Sequence, residues 1–352
     1  MTSVLVVAEE GRFSASTRYR ALQHVPRLAA YYDHVDVALS REIAPPLPRF
    51  SSRARFLARN ALTYGATALA LTRTVSRYDA VFVQRGLYSM GPGTIVRVLE
   101  RYRGRVVFDL DDAVFLPRPG LAGRSRLARW LYGPQQAMRL LRRADAVIVS
   151  TEVLAAEVSR YRVADAILPT VPDPGAYPLA TPGTDARPVV LGWVGTVRNV
   201  DYLEPLRSVL AGLTHDGIAE LVVISAHPWP GPARFRRWTL AQEASVFTTF
   251  AIGLMPLPDT PYTRAKAGFK LLQYMAAGVP FVASPVGVNR ELAERSGAGI
   301  LADGPQEWEA AIRTLAADPD LRVQLGSRGR SFVARYADLD GQAATIAGLL
   351  AP

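Results

Sequence analysis

Residues 251–292 read AIGLMPLPDTPYTRAKAGFKLLQYMAAGVPFVASPVGVNREL, and apolar runs alternate there with loop residues. The run at 251–255 predicts a strand buried on both faces, because such strands read as short continuous apolar stretches. A loop follows Pro256, a helix opens near Gly268, and a second strand follows the break AGVP at 277–280. Strand, helix and strand in this order predict one βαβ unit of a parallel sheet.

The same alternation continues on both sides of this segment. Further apolar runs lie at 4–8, 35–38, 80–83, 105–108 and 146–149 in the first half, and at 189–195 and 221–225 in the second. Each half therefore predicts a doubly wound α/β sheet with helices on both faces. We expect two Rossmann-like domains that face each other across a cleft, where open α/β sheets bind ligands.

Length and composition set the domain boundaries. The chain has 352 residues, enough for two domains, and its stretch 168–188, LPTVPDPGAYPLATPGTDARP, is too rich in Pro and Gly for a helix or central strand. We predict an N-terminal domain at 1–170, a linker at 171–188, a C-terminal domain at 189–336 and a terminal helical segment at 337–352.

The residues that are missing exclude several classes of protein. The chain contains no cysteine, which excludes disulfides, a thiolate nucleophile and Cys-ligated metals. It begins without a basic leader, and no run of about 18 apolar residues occurs. We therefore expect a cytoplasmic protein.

Positive charge is concentrated in the first half. Residues 1–170 hold 25 arginines and 14 acidic residues, a net +11, whereas residues 171–352 are close to neutral. The segments 49–59 and 124–143 mix arginine with apolar residues, which fits a helix lying on the anionic inner face of a membrane or a solvated Arg-rich surface. The basic half favours an anionic acceptor or surface. Nucleic acid is not expected, because no nucleic-acid-binding motif accompanies the charge.

The two lysines of the chain lie four residues apart. All other basic residues are arginine, and Lys266 and Lys270 flank the predicted helix start at Gly268. Backbone N–H groups of Gly268, Phe269 and Lys270 would form an anion site there, with no side chain on Gly268 to block it. A diphosphate fits this site; the alternative is that both lysines are solvated surface residues.

The string GFKLLQYMAAGVPFVASPVGVN at 268–289 resembles the signature of the group 1 family of retaining GT-B glycosyltransferases, also called family 4. Supporting similarity extends over most of the chain, and is found in SASTRYR at 14–20, VFDLDD at 107–112, ADAVIVS at 144–150, GWVG at 192–195 and GSRGRSFVARY at 326–336. The resemblance implies sugar transfer from a nucleotide sugar held by the C-terminal domain to an acceptor held by the N-terminal domain. It also implies retention without a metal, and a terminal helix that crosses back to the first domain.

The resemblance assigns donor-site roles with two departures. The family typically carries two glutamates across this helix; Gln273 stands at the second position and Ala265 at the first. The family's cationic pair after the first strand is reduced to Arg198, and Lys266 is the candidate for the missing charge. The predicted donor-binding residues are Gly195, Thr196, Gly268, Phe269, Lys270 and Gln273, and Arg198 and Lys266 would stabilise the leaving diphosphate.

Polar residues also follow the predicted strands of the first domain. Asp109, Asp111 and Asp112 end one strand, where Asp109 and Asp112 would bind acceptor hydroxyls and Asp111 would act as a base. Metal binding or a turn cap are the alternatives for these carboxylates. Ser16 and Arg18, in the loop after the first strand, would contact the acceptor, or Ser16 would cap the following helix.

These observations predict a glycosyltransferase that uses a nucleotide sugar as donor substrate, with no cofactor and no metal. The acceptor would be a glycan, a lipid-linked saccharide or a small molecule. A non-catalytic nucleotide-sugar-binding partner protein is the alternative that Ala265 and Gln273 motivate. An epimerase of the same architecture would need acid and base groups around the sugar, and a phosphorylase would need further elements; the sequence indicates neither.

Overall fold

The computed structural model describes residues 2–40, 53–87, 93–115, 134–180 and 187–351, with the backbone alone at 53–57, 59–60 and 197–198. The chain divides into two compact units. Unit 1 is Met1–Thr170 with Leu339–Pro352, and unit 2 is Val171–Asp338. The Arg-rich stretches at 49–52 and 124–133 lie outside the described residues.

Unit 1 contains a parallel sheet of six strands, in the order β2-β1-β3-β4-β5-β6. Its central strands are fully buried and rich in valine, as expected for a sheet covered on both faces. The strands are β1 (Ser3–Ala8), β2 (His34–Leu39), β3 (Ala80–Gln84), β4 (Arg105–Leu110), β5 (Ala146–Val149) and β6 (Ala166–Ile167).

Helices cover this sheet and link its strands. Those of the described part of the first 170 residues are α1 (Ala15–Arg20), α2 (Val25–Leu28), α3 (Arg53–Thr74), α4 (Arg97–Glu100), α5 (Gln135–Arg143) and α6 (Glu152–Val158).

Unit 2 repeats the architecture with the strand order β12-β11-β10-β7-β8-β9, all neighbours being parallel. Its strands are β7 (Val189–Val194), β8 (Ala219–Ser225), β9 (Arg234–Arg237), β10 (Ile252–Met255), β11 (Phe281–Ala283) and β12 (Gly299–Leu301). The prediction of two doubly wound α/β sheets is confirmed.

Seven α-helices occur in the described part of the second half. They are α7 (Arg207–His215), α8 (Pro261–Arg264), α9 (Phe269–Ala276), α10 (Val288–Ser296), α11 (Pro305–Ala317), α12 (Pro319–Tyr336) and α13 (Leu339–Leu350). Before α7, residues Val197–Leu206 form a 3-10 helix rather than the loop and α-helix expected from 202 onward. Pro205 accounts for part of this difference, because proline cannot donate the backbone hydrogen bond of an α-helix interior.

Two chain segments do not belong to the unit that their position along the chain suggests. Residues 171–180, predicted as linker, belong to unit 2, where Val171 and Tyr177 are buried and the amide of Ala180 donates to the carbonyl of Ala277 at 2.8 Å. Helix α13 belongs to unit 1, and Ile346 and Leu350 are part of the core of that sheet. Burial of apolar side chains therefore decides the unit to which each segment belongs.

Close packing in unit 2 brings α9 against α12. Gly326 of α12 lies on the chain turn at Gly278 that ends α9, so closely that a Cβ atom would collide with the carbonyl oxygen of Gly278. Tyr274 of α9 donates to the carbonyls of Gly192 and Leu254 at 2.9 and 3.0 Å, which ties the helix to the two central strands. The start of α9 is thus held at a fixed position above the sheet.

Candidate functional site

The ring of Trp193 lies at the carboxyl end of β7 in unit 2. Trp193 is fully buried, and Gly195 lies directly on its ring, so that a Cβ atom at position 195 would be only 2.5 Å from the ring carbon Cη2. The ammonium of Lys270 lies over the same ring, with its Nζ 4.7 Å from the ring centroid. The predicted residues Gly195 and Lys270, 75 positions apart in the numbering, thus meet at Trp193.

Helix α9 begins beside the ring of Trp193. Gly268 is its N-cap residue and has a φ of +62°, a conformation that glycine adopts without strain. A side chain at Gly268 would also collide with Val288 and Leu292 of α10. The first N–H groups of a helix have no acceptor within the helix, and together with the helix dipole they favour an anion at this end.

The two lysines place two positive charges at the start of α9. Lys266 lies over the ring of Tyr262, with Nζ 4.9 Å from the centroid, and both lysines are half-buried. Burial, followed by the nearby charge of Lys266, lowers the pKa of Lys270 from 10.5 to about 7. Within the described parts of the chain neither lysine has an ion-pair partner. Two cations without a carboxylate partner make this end of α9 receptive to an anionic ligand.

The loop between β11 and α10 leads to residues that pack next to Gly268. Gly287, with a φ of +55°, packs against the carbonyl of Arg264. Asn289 donates from Nδ2 to the carbonyl of Ser284 at 3.2 Å, while its buried Oδ1 atom has no hydrogen-bond partner among the described residues. Sequence reasoning missed Trp193 and Asn289 as site residues, although both lie within the quoted motifs.

The other predicted donor-site residues differ in their surroundings. Thr196 is exposed before the 3-10 helix, Phe269 is half-buried at the first position of α9, and the side chain of Arg198 lies outside the described atoms. Gln273 is buried, and its Nε2 donates to the hydroxyl of Tyr177 at 2.8 Å. Ala265 is buried, and its methyl group can form no hydrogen bond.

In unit 1, the predicted acceptor residue Asp109 is committed to a buried salt bridge. Asp109 and Arg20 are 1% and 4% exposed, and the Nε of Arg20 donates to one carboxylate oxygen at 3.0 Å while Nη2 donates to the other. Arg20 also donates to the carbonyl of Leu168. Both carboxylate oxygens of Asp109 are thus engaged inside unit 1, and its contact with an acceptor stays a prediction.

Ser16 and Arg18 lie in helix α1 rather than in the loop after β1 where the sequence predicts them. The hydroxyl of Ser16 accepts a hydrogen bond from Nε2 of Gln84 at 2.6 Å, which joins α1 to the end of β3. Arg18 is half-buried and donates from Nη1 to the carbonyl of Arg12 at 2.8 Å. These contacts place Ser16 beside the polar end of β3, and they fix Arg18 against the loop that precedes α1.

A cluster of charged and polar side chains gathers where β1, β3 and β4 end. We call it the switch-point cluster, and its members are Glu9, Glu10, Gln84, Arg85, Asp111 and Asp112. Arg85 has a φ of +64°, and its guanidinium reaches Asp112 at 2.9 Å and Asp111 at 3.8 Å.

The carboxylates of this cluster dominate the electrostatics of Arg85. Burial lowers the pKa of the guanidinium, but Asp111, Asp112, Glu9 and Glu10 outweigh burial and hold the pKa well above its ordinary value. Sequence reasoning missed Arg85, Gln84, Glu9 and Glu10. The signal that could have found them is that each follows a buried strand directly, as the predicted aspartates do.

No group of three or more His, Asp or Glu side chains that could hold a metal ion occurs in the described ranges. A helix long and apolar enough to cross a membrane is likewise not found there.

The two parallel Rossmann-like sheets are those expected of the GT-B fold. Residues 189–318 match the family model described as Glycosyl transferases group 1. This part of the second unit is therefore a group 1 glycosyl transferase domain, as the resemblance in the sequence predicts. No curated protein sequence matches the chain.

Solved structures share the fold over nearly the whole length. Sucrose-phosphate synthase from Thermosynechococcus elongatus has a TM-score of 0.73 at 15% identity, covering 99% of this chain and 98% of that one. HepE from Anabaena in complex with UDP and glucose has a TM-score of 0.71 at 16% identity, covering 99% of both chains. WaaG, a glycosyltransferase of lipopolysaccharide biosynthesis, has a TM-score of 0.65 at 14% identity, again covering 99% of both.

Replacing Asp109 by asparagine tests the structural role of its salt bridge. Asp109→Asn leaves the buried guanidinium of Arg20 without a counter-charge, which should lower the free energy of unfolding by ~3–5 kcal/mol. Urea unfolding followed by circular dichroism measures this loss. The matched control is Glu291→Gln, which removes one carboxylate from a half-exposed surface pair and should leave the midpoint nearly unchanged. An Asp109→Asn protein as stable as its parent would contradict the assignment.

Proposed function

We propose that the chain transfers a sugar from a nucleoside diphosphate sugar to a hydroxyl-bearing acceptor, with retention of configuration and without a metal. The observation that carries this proposal is the pair Lys266 and Lys270 at the start of α9, two cations without a carboxylate partner in the described chain beside a glycine helix cap. A diphosphate supplies the missing negative charge, and its oxygens accept hydrogen bonds from the helix amides.

The positive charge of this site acts on the leaving group. As the bond between the anomeric carbon and the phosphate oxygen breaks, negative charge grows on the diphosphate, and fixed cations stabilise that charge most in a water-poor site. Lys270 has a pKa of about 7 without ligand, so an arriving diphosphate raises its protonated fraction at neutral pH. Arg198, at the start of the 3-10 helix that follows β7, is proposed as a third cation.

Retention follows from attack on the face that the diphosphate leaves. The acceptor oxygen forms its bond to the anomeric carbon there, and its proton passes to the departing phosphate oxygen. No protein nucleophile is needed for this route, and the lysines supply the charge that a metal supplies elsewhere. Asp111 remains a proposed base for an acceptor hydroxyl.

The nucleoside part of the donor is proposed to contact Gln273. The Nε2 group of this residue is engaged with Tyr177, so its amide oxygen is the group that accepts from a ribose hydroxyl. HepE was solved with UDP-glucose, with a TM-score of 0.69 at 16% identity, which makes a uridine diphosphate sugar the first donor to test.

A screen of UDP-, GDP- and dTDP-sugars tests the proposed function. One donor should raise the melting temperature by ~2–5 °C and be slowly hydrolysed. Lys266→Gln and Lys270→Gln should each weaken its binding by ~10–100-fold, because each removes a charge-assisted contact. Arg335→Gln, which removes an exposed charge on α12, is the control and should bind like the parent.

The result of this screen also separates transfer from binding alone. Stabilisation by one nucleotide sugar with no hydrolysis, and no transfer to any acceptor, would contradict the catalytic proposal. Stabilisation by no nucleotide would contradict the diphosphate site itself.

We further propose that unit 1 binds the cytoplasmic face of an anionic membrane through α3. Between residues 58 and 69 of this helix the described outward side chains are apolar or small, and Leu62 and Leu69 are 62% and 51% exposed. Exposed apolar side chains on a helix of a basic protein are typical of an interfacial helix. Helix α5 is a weaker candidate, because Arg139 pairs with Glu100 and Arg143 donates to backbone carbonyls inside unit 1.

Sedimentation with lipid vesicles tests this membrane proposal. The chain should pellet with phosphatidylglycerol vesicles and remain in solution with phosphatidylcholine vesicles, and added salt should release it. The double variant Leu62→Gln, Leu69→Gln should lose most of this binding. Val163→Gln, at a residue 76% exposed elsewhere in unit 1, should not. Equal binding of both variants to the anionic vesicles would contradict a role for α3.

A further inference from the structure

Trp193 is buried in a way that its polar atom does not explain. The side chain is 0% exposed, and its Nε1 atom has no hydrogen-bond partner among the described residues. A buried N–H group without an acceptor costs free energy, and a leucine or phenylalanine at this position would avoid that cost. Trp229 of the same core, by contrast, donates from Nε1 to Glu204 at 3.2 Å. The chain therefore uses the ring of Trp193 and not its N–H group.

The ring of Trp193 meets a cation. Lys270 lies over it, with Nζ 4.7 Å from the ring centroid. The negative face of an aromatic ring attracts a cation within about 6 Å of its centre, and tryptophan attracts a cation more strongly than tyrosine or phenylalanine. This attraction grows where water is excluded, as it is around a fully buried ring. The contact thus stabilises the ammonium form of Lys270.

The other influences on Lys270 oppose its charge. Burial lowers the pKa of Lys270, and the charge of Lys266 lowers it further. No carboxylate in the described ranges forms an ion pair with either lysine. A lysine side chain also has four rotatable bonds, so that fixing its ammonium at one place costs conformational entropy. The ring of Trp193 is a described contact that both holds the ammonium and favours its charge.

We propose that Trp193 is a positioning residue of the donor site, whose ring favours the charged form of Lys270 and holds its Nζ at the start of α9. This inference rests on the proposed function, because it explains how the cation that meets the diphosphate is held before the donor arrives. Trp193 is fully buried, so it acts through Lys270 rather than by touching the donor. When a diphosphate binds, the ammonium keeps the ring on one side and donates hydrogen bonds to the phosphate oxygens on the other.

The two lysines of the chain make the charge of Lys270 directly measurable. Lysine labelled with carbon-13 gives two sets of side-chain signals in the full chain, and Lys266→Arg identifies the set that belongs to Lys270. A pH titration of these signals without ligand gives the pKa, which should be about 7 in the parent chain. Trp193→Leu removes the ring, so the pKa should fall to ~6 or lower. Trp193→Phe keeps a smaller ring and should give a value between the two.

Trp308→Leu is the matched control. Trp308 is 3% exposed and belongs to the same core as Trp193, so the variant loses the same side-chain volume. Its ring is not one over which either lysine lies. The control should be less stable than the parent chain but leave the pKa of Lys270 unchanged. An equal fall of this pKa in Trp308→Leu and Trp193→Leu, or no fall in Trp193→Leu, would overturn the proposal.

A second measurement keeps the side chain of Trp193 at nearly its full size. 5-Fluorotryptophan, supplied during expression, withdraws electron density from the face of the ring and weakens its attraction for a cation. The pKa of Lys270 should fall in the fluorinated chain, while the circular dichroism spectrum stays that of the parent. This measurement remains open when the leucine variant fails to fold. An unchanged pKa of Lys270 in the fluorinated chain would overturn the proposal.

Nucleotide binding separates this inference from the proposed function. Uridine diphosphate should bind Trp193→Leu ~10-fold more weakly than the parent chain at pH 7, and should bind Trp308→Leu like the parent. A parent chain that binds no nucleotide, but whose Lys270 titrates as expected in each variant, keeps the contact with the ring and loses the donor site. A parent chain that binds uridine diphosphate, with the pKa of Lys270 unaltered in Trp193→Leu, keeps the proposed function and loses this inference.

Discussion

The burial of Lys270, with the second cation Lys266 nearby, is the constraint on which the proposed site of unit 2 depends. Trp193 beneath Lys270 and Tyr262 beneath Lys266 hold the ammonium groups by cation–π contact. Because the pKa of Lys270 is lowered in the folded chain, the unfolded chain binds more protons between pH 7 and pH 10.5. The free energy of unfolding therefore falls as the pH is lowered through this range. An anionic ligand reverses this loss, so a site that destabilises the empty protein is suited to bind a diphosphate.

Both units gather charged side chains at the carboxyl edge of a parallel sheet. In unit 2 the edge holds two lysines and a glycine helix cap; in unit 1 it holds four carboxylates around Arg85. Net charge describes the outer surface of a domain, and the recognition of a substrate depends on the few groups at its site.

Much of the fold could be predicted from local sequence. Apolar runs of strand length placed the strands from Val4 to Ala283, and the glycine, lysine and apolar pattern at 268–277 placed the start and end of α9. Both signals depend on neighbours along the chain. The linker prediction was less successful, because proline and glycine content does not show that Val171 and Tyr177 are buried in unit 2.

Residues of the site were predictable only where one segment contains them. Lys266, Gly268 and Lys270 lie within five residues of one another, whereas the cluster around Arg85 is assembled from three strand ends. Asp109 was assigned to an acceptor because its partner, Arg20, is 89 residues away. A single sequence shows that a carboxylate follows a strand, but not whether a distant arginine already binds it.

Proton uptake on binding of uridine diphosphate measures the central claim, that a diphosphate supplies the counter-charge to a lysine whose pKa is lowered by burial and by a second lysine. Calorimetric titrations at pH 8 in buffers of different ionisation enthalpy report the number of protons taken up. With a pKa of about 7 in the free protein, Lys270 is mostly neutral at this pH, so binding should take up close to ~1 proton per site. Lys270→Arg, which is charged at every pH, should bind without uptake. Binding to the parent chain without proton uptake, or equal uptake by the variant, would contradict the account.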